Sequence, residues 1–107
     1  MEFRSDARPS PIAGRWYAGE PGVLSKHVED FMRLARIEKD DLSGKVVGLV
    51  VPHAGYIYSG RTAAFAYKTI ADQPRKLVVI LSPLHQYSPN DFITTAFHAY
   101  QTPLGDV

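Results

Sequence analysis

The sequence predicts an α/β fold, in which a parallel or mixed sheet based on a β-α-β unit is flanked by helices. Two short apolar runs, residues 45–51 and 76–81, have the length and β-branched composition of strands covered on both faces. The segment between them, residues 61–71, repeats its apolar side chains with helical spacing. A strand, a helix and a strand in this order form a right-handed crossover, so the two strands are expected to be parallel and adjacent.

The remaining elements follow from similar patterns. A first helix is expected over residues 23–36, with Pro21 at its lead-in, because the apolar side chains again fall on one helical face. Ser59 is expected to cap the second helix at residue 61. Looser alternation over residues 91–100 indicates a third strand, whose direction the sequence leaves open.

The length of 107 residues permits one compact domain. We expect a flexible N-terminal arm over residues 1–11 and a single α/β domain over residues 12–107.

The composition narrows the function classes. With 12 basic and 11 acidic side chains the net charge is +1, too small for a surface that follows nucleic-acid phosphates, so no nucleic-acid partner is expected. The absence of cysteine removes thiolate ligands and Cys nucleophiles and suits the reducing cytoplasm. No segment has the length and apolarity of a signal peptide core or a membrane span, so no membrane association is expected.

Several common catalytic and cofactor motifs are missing. The sequence has neither a dinucleotide-binding glycine fingerprint nor a phosphate-binding P-loop, so no nucleotide cofactor is expected. Ser59 lacks the preceding glycine of a nucleophile elbow, which argues against serine hydrolysis.

Two histidines follow the two predicted strands, and they carry the main functional prediction. His53 lies in a Pro-His-Ala-Gly-Tyr sequence after the first strand, and His85 lies in a Pro-Leu-His sequence after the second. Ligands of open α/β sheets bind at the carboxyl ends of the strands. Because neighbouring strands are about 5 Å apart, both imidazoles are expected to reach one ion. The alternative is that each is a hydrogen-bonded surface side chain.

Imidazole nitrogen suits iron, copper and zinc, and two histidines leave coordination positions for other ligands. Gly55 is expected to adopt a positive φ that turns His53 into the crevice. The candidate pocket or substrate-binding residues are Trp16, Gly55, Tyr56 and Tyr58. The other two histidines, at positions 27 and 98, are expected to be a solvated and a structural side chain, respectively.

At these residues the chain resembles the Memo family. The resemblance consists of four landmarks in the family's order and spacing, and it covers the first third or so of a family member. The landmarks are Ala-Gly-Arg-Trp-Tyr at residues 13–17, Pro-His-Ala-Gly-Tyr at 52–56 with Tyr-Ser-Gly at 58–60, Pro-Leu-His at 83–85, and Thr-Pro-Leu-Gly at 102–105.

The resemblance implies a fold similar to that of the class III extradiol dioxygenases, which hold non-haem iron. It also implies that His53 and His85 are the first two metal-site histidines, and that a further His and a Cys belong to later segments absent from these residues. Leu84 stands where relatives usually carry a small polar residue, and Gln86 stands where they often carry a second His or another polar residue, which affects the hydrogen bonding around His85. Prokaryotic members are linked with a radical SAM protein and an AMMECR1-like domain.

Three functions are therefore expected as alternatives. The first is a part of a non-haem iron or copper site with metal-dependent redox or dioxygenase-like activity. The second is a non-catalytic adaptor that binds a peptide or protein in the same pocket. The third is an incomplete fragment without independent activity, whose unpaired sheet edges recruit a missing C-terminal segment or a second copy of the chain.

Overall fold

The computed structural model describes residues 4–38 and 41–107. Two helices and a small sheet are the regular elements of these residues: β1 (Arg4–Arg8), α1 (Pro21–Leu34), α2 (Tyr56–Lys68), β2 (Phe97–Thr102) and β3 (Gly105–Asp106). The strand order is β1-β2-β3, with β1 parallel to β2 and β2 antiparallel to β3. The predicted α/β class and the mixed sheet are confirmed. No helix among the described residues is long and apolar enough to cross a bilayer.

The sheet is not built from the two apolar runs. Residues 45–51 and 76–81 have no assigned strand pairing in the described part of the chain, so their prediction as hydrogen-bonded neighbours is wrong. Strands of this composition need a partner on each edge and apolar cover on each face. Neither is present here, since Val50 is fully exposed and Leu81 is 87% exposed.

The two runs nevertheless lie side by side and point the same way. Near their starts, the Arg75 guanidinium donates to the carbonyl oxygen of Val46 at 3.1 Å. Just beyond their ends, the rings of His53 and His85 meet. The chain therefore keeps the order and direction of a β-α-β unit without its ladder of hydrogen bonds.

The small sheet uses residues from both ends of the described chain. Arg4–Arg8, which fall within the predicted arm, form β1 and pair with β2. The predicted third strand begins at Phe97 rather than at residue 91. Gly105 has a φ of +120°, which favours glycine, and the Thr102 hydroxyl donates to its carbonyl oxygen at 2.7 Å. The Thr-Pro-Leu-Gly landmark thus forms the tight turn between β2 and β3.

Helix α1 confirms the first predicted helix and begins two residues earlier, at Pro21. The Glu20 carboxylate caps it by accepting from the backbone N–H groups of Gly22 and Val23, at 3.1 and 2.7 Å. These two donors hold the pKa of Glu20 below its usual range. The apolar face points inward, with Leu24 buried.

Helix α2 begins at Tyr56, five residues before the predicted start, so the prediction of Ser59 as its N-cap is wrong. The cap position is Gly55, whose carbonyl oxygen accepts from the backbone N–H of Ser59 at 3.1 Å. The helix starts early because the Tyr56 N–H donates to the Trp16 carbonyl oxygen at 2.8 Å, a contact between distant parts of the chain. Ser59 is buried in the first turn, and its hydroxyl donates to the carbonyl oxygen of Ala54 at 3.0 Å.

Helices α1 and α2 pack through a close contact between a glycine and an aromatic ring. A Cβ atom added at Gly60 would lie 2.9 Å from Cε2 of Phe31. Ala64, one turn further along α2, is buried. The absence of a side chain at residue 60 therefore sets how closely the two helices approach.

Replacing Gly60 by Ala is expected to destabilise the fold by about 1 kcal/mol. The gain in helix propensity, up to about 1 kcal/mol, is outweighed by the cost of displacing the Phe31 ring, about 1–3 kcal/mol for overpacking. Urea unfolding followed by circular dichroism measures the difference. In the double variant with Phe31→Leu, the Gly60→Ala step should cost less, because the smaller side chain removes the clash. An equal cost in both backgrounds would contradict this packing.

Candidate functional site

The two predicted metal ligands lie together. The Nε2 atoms of His53 and His85 are 3.1 Å apart, the ring centroids are 5.3 Å apart, and the ring planes are inclined by 18°. Both side chains are exposed, so ions and small molecules can reach them from solvent. That they bind a metal stays a prediction.

The two rings meet nearly head-on, since the 5.3 Å between their centroids is close to the Nε2 separation plus the two ring radii, so each ring must turn before both nitrogens can bind one cation. With nitrogen–metal bonds of about 2.1 Å, a 3.1 Å separation corresponds to an angle of about 95° at the ion. This angle lies between the octahedral and tetrahedral values. In the metal-free chain the same distance suits a hydrogen bond from one neutral imidazole to the other. Among residues 4–38 and 41–107, no group of three or more His, Cys, Asp or Glu side chains could hold a metal.

The loop that carries His53 is fixed by backbone contacts to the first landmark. A Cβ atom on Gly55 would lie 3.3 Å from the Trp16 carbonyl oxygen, and that same oxygen accepts from the Tyr56 N–H. The predicted positive φ at Gly55 is wrong, because its φ is −56°. The glycine favours the close approach of two backbones, where a Cβ atom would be tight, and does not serve a left-handed turn.

An apolar pocket of about 540 Å³ lies beside the histidine pair. Its walls come from the facing sides of α1 and α2, the segment around Trp16, and the ends of the two apolar runs. His53 lies on its lining, whereas His85 does not. Two of the predicted pocket residues, Trp16 and Tyr56, line it. Gly55 and Tyr58 lie outside the lining, and Tyr58 is 85% exposed.

Sequence reasoning missed the contribution of α1 to this pocket. Val28, Phe31 and Met32 line it together with Tyr17. The apolar periodicity of α1 identifies Val28 and Phe31 as inward-facing, but it does not predict a cavity between α1 and α2. Leu84 and Gln86, which flank His85, are exposed.

Tyr56 is the aromatic centre of the pocket. Its ring centroid is 5.6 Å from that of Tyr17 and 6.2 Å from that of Phe31, the latter in an edge-to-face arrangement. Burial raises the pKa of the Tyr56 phenol, and the nearby hydroxyls of Tyr17 and Tyr67 raise it further. At neutral pH the phenol is protonated, as any tyrosine with an ordinary or raised pKa is, and it can donate a hydrogen bond.

This raised pKa predicts a loss of stability in alkali. In the unfolded chain Tyr56 loses its proton near its ordinary pKa of about 10, while in the folded chain it keeps the proton to higher pH. The free energy of unfolding should therefore fall as the pH rises from the unfolded pKa through the folded pKa. Urea unfolding at about pH 9 and at about pH 11 measures this fall.

Tyr56→Phe is the matched variant, since it keeps the ring and removes the ionisable group. The variant should lose less stability than the parent over the same pH interval, because the two proteins share every other ionisable group. An equal loss in the two would contradict the raised pKa of Tyr56.

The chain is thus an α/β protein with a mixed sheet. It carries a candidate metal site of two adjacent histidines, and an apolar pocket adjoins that pair. The family model for Memo-like proteins matches residues 8–107. The chain belongs to the Memo-like protein family, which confirms the resemblance seen in the sequence.

Individual relatives agree with this assignment. The chain is 32% identical over 100 residues to a MEMO1 family protein of Nitrosopumilus maritimus, an alignment that covers 92% of this chain and 36% of the relative. It is 32% identical over 107 residues to the protein MEMO1 of Xenopus laevis, covering 100% of this chain and 35% of the relative. The chain is 36% identical over 106 residues to a MEMO1 family protein of Methanopyrus kandleri, covering 94% of this chain and 38% of the relative.

The chain thus spans little more than a third of the length of these relatives. No solved structure matches it.

Proposed function

We propose that His53 and His85 are two ligands of a mononuclear iron or copper centre in a Memo-like protein with metal-dependent redox or dioxygenase-like activity. The observation that carries the proposal is the 3.1 Å separation of their Nε2 atoms, which lets one cation bind both nitrogens after a rotation of the rings. Iron and copper are favoured over zinc because they can change oxidation state, and imidazole binds all three. When bound, such a metal supplies Lewis acidity and an exchangeable electron.

The other residues of the site serve to bind and orient a substrate. The pocket beside His53 is mostly apolar, so it can accept an aromatic ring and exclude water from it. Tyr56 is protonated at neutral pH and can donate to a polar group of that substrate. The relation to class III extradiol dioxygenases, with a phenolic substrate, belongs to this proposal. A cytoplasmic site of action is part of the proposal and is favoured by the absence of cysteine from these 107 residues.

The experiment is metal analysis of the chain purified without chelator and then supplied with iron or copper. We expect one ion per chain, which the double variant His53→Ala/His85→Ala loses. His27→Ala is the matched control, because His27 is an exposed histidine on α1, and it should keep the ion. Metal content that is unchanged in the double variant would overturn the proposal.

Oxygen consumption with a catechol tests the activity separately. Uptake that depends on iron and on both histidines would support dioxygenase-like chemistry. One bound ion without oxygen uptake would keep the metal site and reject that chemistry for this chain, which would then be a part of a site without independent activity.

The pocket itself favours a second candidate function, the binding of a partner peptide without catalysis. A cavity of about 540 Å³ lined by aromatic and aliphatic side chains can receive an apolar side chain of a peptide. The probe is a set of short peptides with a central Phe, Tyr or Trp, followed by NMR titration. Binding that survives the loss of both histidines and is lost in Tyr56→Ala would support the adaptor function. The absence of binding by any of the peptides would count against it.

A further inference from the structure

We infer that Ser59 is a positioning residue for His53. Its hydroxyl, in the first turn of α2, holds the backbone that follows His53, so that the imidazole faces that of His85. As a role in binding a cation the inference rests on the proposed function, whereas the positioning itself can be measured in the metal-free chain.

The Ser59 hydroxyl is buried and hydrogen-bonded. Among residues 4–38 and 41–107, Ser59 is the polar residue that is buried, with 8% of its surface exposed. Its hydroxyl donates to the carbonyl oxygen of Ala54 at 3.0 Å. Burying a hydroxyl costs free energy unless it is hydrogen-bonded, and alanine has the higher helix propensity. Helix formation and burial alone would therefore favour alanine, so the use of the hydroxyl lies in its bond to Ala54.

This bond reaches out of the helix. A serine within a helix usually bonds back to a carbonyl oxygen three or four residues earlier. At Ser59 the backbone N–H already donates to the carbonyl oxygen of Gly55, four residues earlier, at 3.1 Å. The hydroxyl donates one residue further back, to Ala54, which lies before the start of α2. It therefore ties the helix to the residue that directly follows His53.

The loop between His53 and α2 is thus held at two points. The Ser59 hydroxyl fixes the peptide group that precedes Gly55, through the Ala54 carbonyl oxygen. The Trp16 carbonyl oxygen fixes the peptide group that follows Gly55, by accepting from the next N–H at 2.8 Å. Of the two bonds, that of Ser59 lies on the side of His53.

The His53 ring depends on this backbone for its position. His53 is exposed, and among the described residues its ring is hydrogen-bonded to His85 alone. The rings must also turn before one cation can bind both nitrogens. A fixed backbone restricts that change to the side-chain torsions, so the two Nε2 atoms stay within reach of each other.

The experiment compares Ser59→Ala with Thr69→Val in the 107-residue chain. Thr69 follows the other end of α2, where its hydroxyl donates to the Ala66 carbonyl oxygen at 2.7 Å. The control therefore removes a bond of the same kind far from His53. The first readout is the NMR nuclear Overhauser effect between the ring protons next to the two Nε2 atoms, measured without metal. We expect it in the parent and in Thr69→Val, and we expect its loss in Ser59→Ala.

The second readout is the affinity for Cu²⁺, measured by competition with a chelator. Ser59→Ala should bind about tenfold more weakly, in the range found when a residue that supports a metal ligand is removed. Thr69→Val should bind like the parent. Ser59→Thr keeps the hydroxyl, and it should keep both the ring contact and the affinity.

A parent without the ring contact, or a ring contact that is unchanged in Ser59→Ala, would overturn the inference. Equal losses in Ser59→Ala and Ser59→Thr would also overturn it, because the hydroxyl would not be responsible. Equal losses in Ser59→Ala and Thr69→Val would do the same, since they would report a general loosening of α2. If the ring contact is lost in Ser59→Ala but the parent binds no Cu²⁺, the positioning holds and the proposed function fails.

Discussion

Replacing either His53 or His85 by alanine is expected to lower the affinity for Cu²⁺ by about 100-fold. The two Nε2 atoms are 3.1 Å apart, so in the parent they can bind one ion as a chelating pair. Either substitution leaves a single imidazole, which binds weakly by itself. The measurement is competition for Cu²⁺ with a chromogenic chelator.

The double variant distinguishes a shared ion from two separate ions. If the ion is shared, the second substitution should cost less than the first, because the chelate is already lost. His27→Ala should leave the affinity unchanged. Single variants that bind as tightly as the parent would show that the two rings do not act together.

Replacing Phe31 by alanine is expected to reduce the free energy of unfolding by about 2 kcal/mol, less than for a fully buried ring because Phe31 is half-buried. The ring contacts Gly60 of α2 and packs edge-to-face on Tyr56, so it joins the two helices. Few side chains share this role, since the buried hydrophobic residues of the described part of the chain are Leu24, Ala35 and Ala64. Urea denaturation followed by circular dichroism measures the loss.

Phe92→Ala is the matched control, because Phe92 is 90% exposed and its truncation should cost little. The Phe31 substitution should also weaken Cu²⁺ binding modestly. Tyr56 begins α2 directly after the His53 loop, so loosening its ring contact should let that loop move. Equal stabilities of the Phe31 and Phe92 variants would contradict the proposed helix contact.

The position of the histidine pair could be predicted because it depends on the order and direction of the two runs rather than on their hydrogen bonding. Two apolar runs joined by a helix must point the same way, so residues that follow each run, His53 and His85, meet at one end. This outcome holds although the runs lack strand pairing in the described residues. Helix α1 was predictable for a similar reason, since its periodicity and Pro21 are local signals.

The start of α2 and the conformation of Gly55 could not be predicted, because both depend on Trp16, which is distant in sequence. A serine before a helical pattern favours a cap, but the Trp16 carbonyl oxygen instead receives the Tyr56 N–H and fixes an earlier start. The requirement for glycine at residue 55 likewise comes from the approach of the Trp16 backbone. Local propensity contains no information on such contacts.

The pairing of the apolar runs was a different kind of error. Their composition correctly indicates segments that need cover on both faces, but it does not say which polypeptide provides that cover. Leu81 and Val50, which a central strand would bury, are exposed in the described structure. A sequence pattern therefore predicts the requirement for partners and not their presence.

Pulsed electron paramagnetic resonance of the Cu²⁺-loaded chain tests the central claim most directly, because modulation from the remote imidazole nitrogens reports how many histidines bind one ion. We predict two equivalent imidazoles in the parent and one in each of the His53→Ala and His85→Ala variants. A parent spectrum with one imidazole, or a double variant that still shows two, would contradict the claim that these histidines bind a common cation.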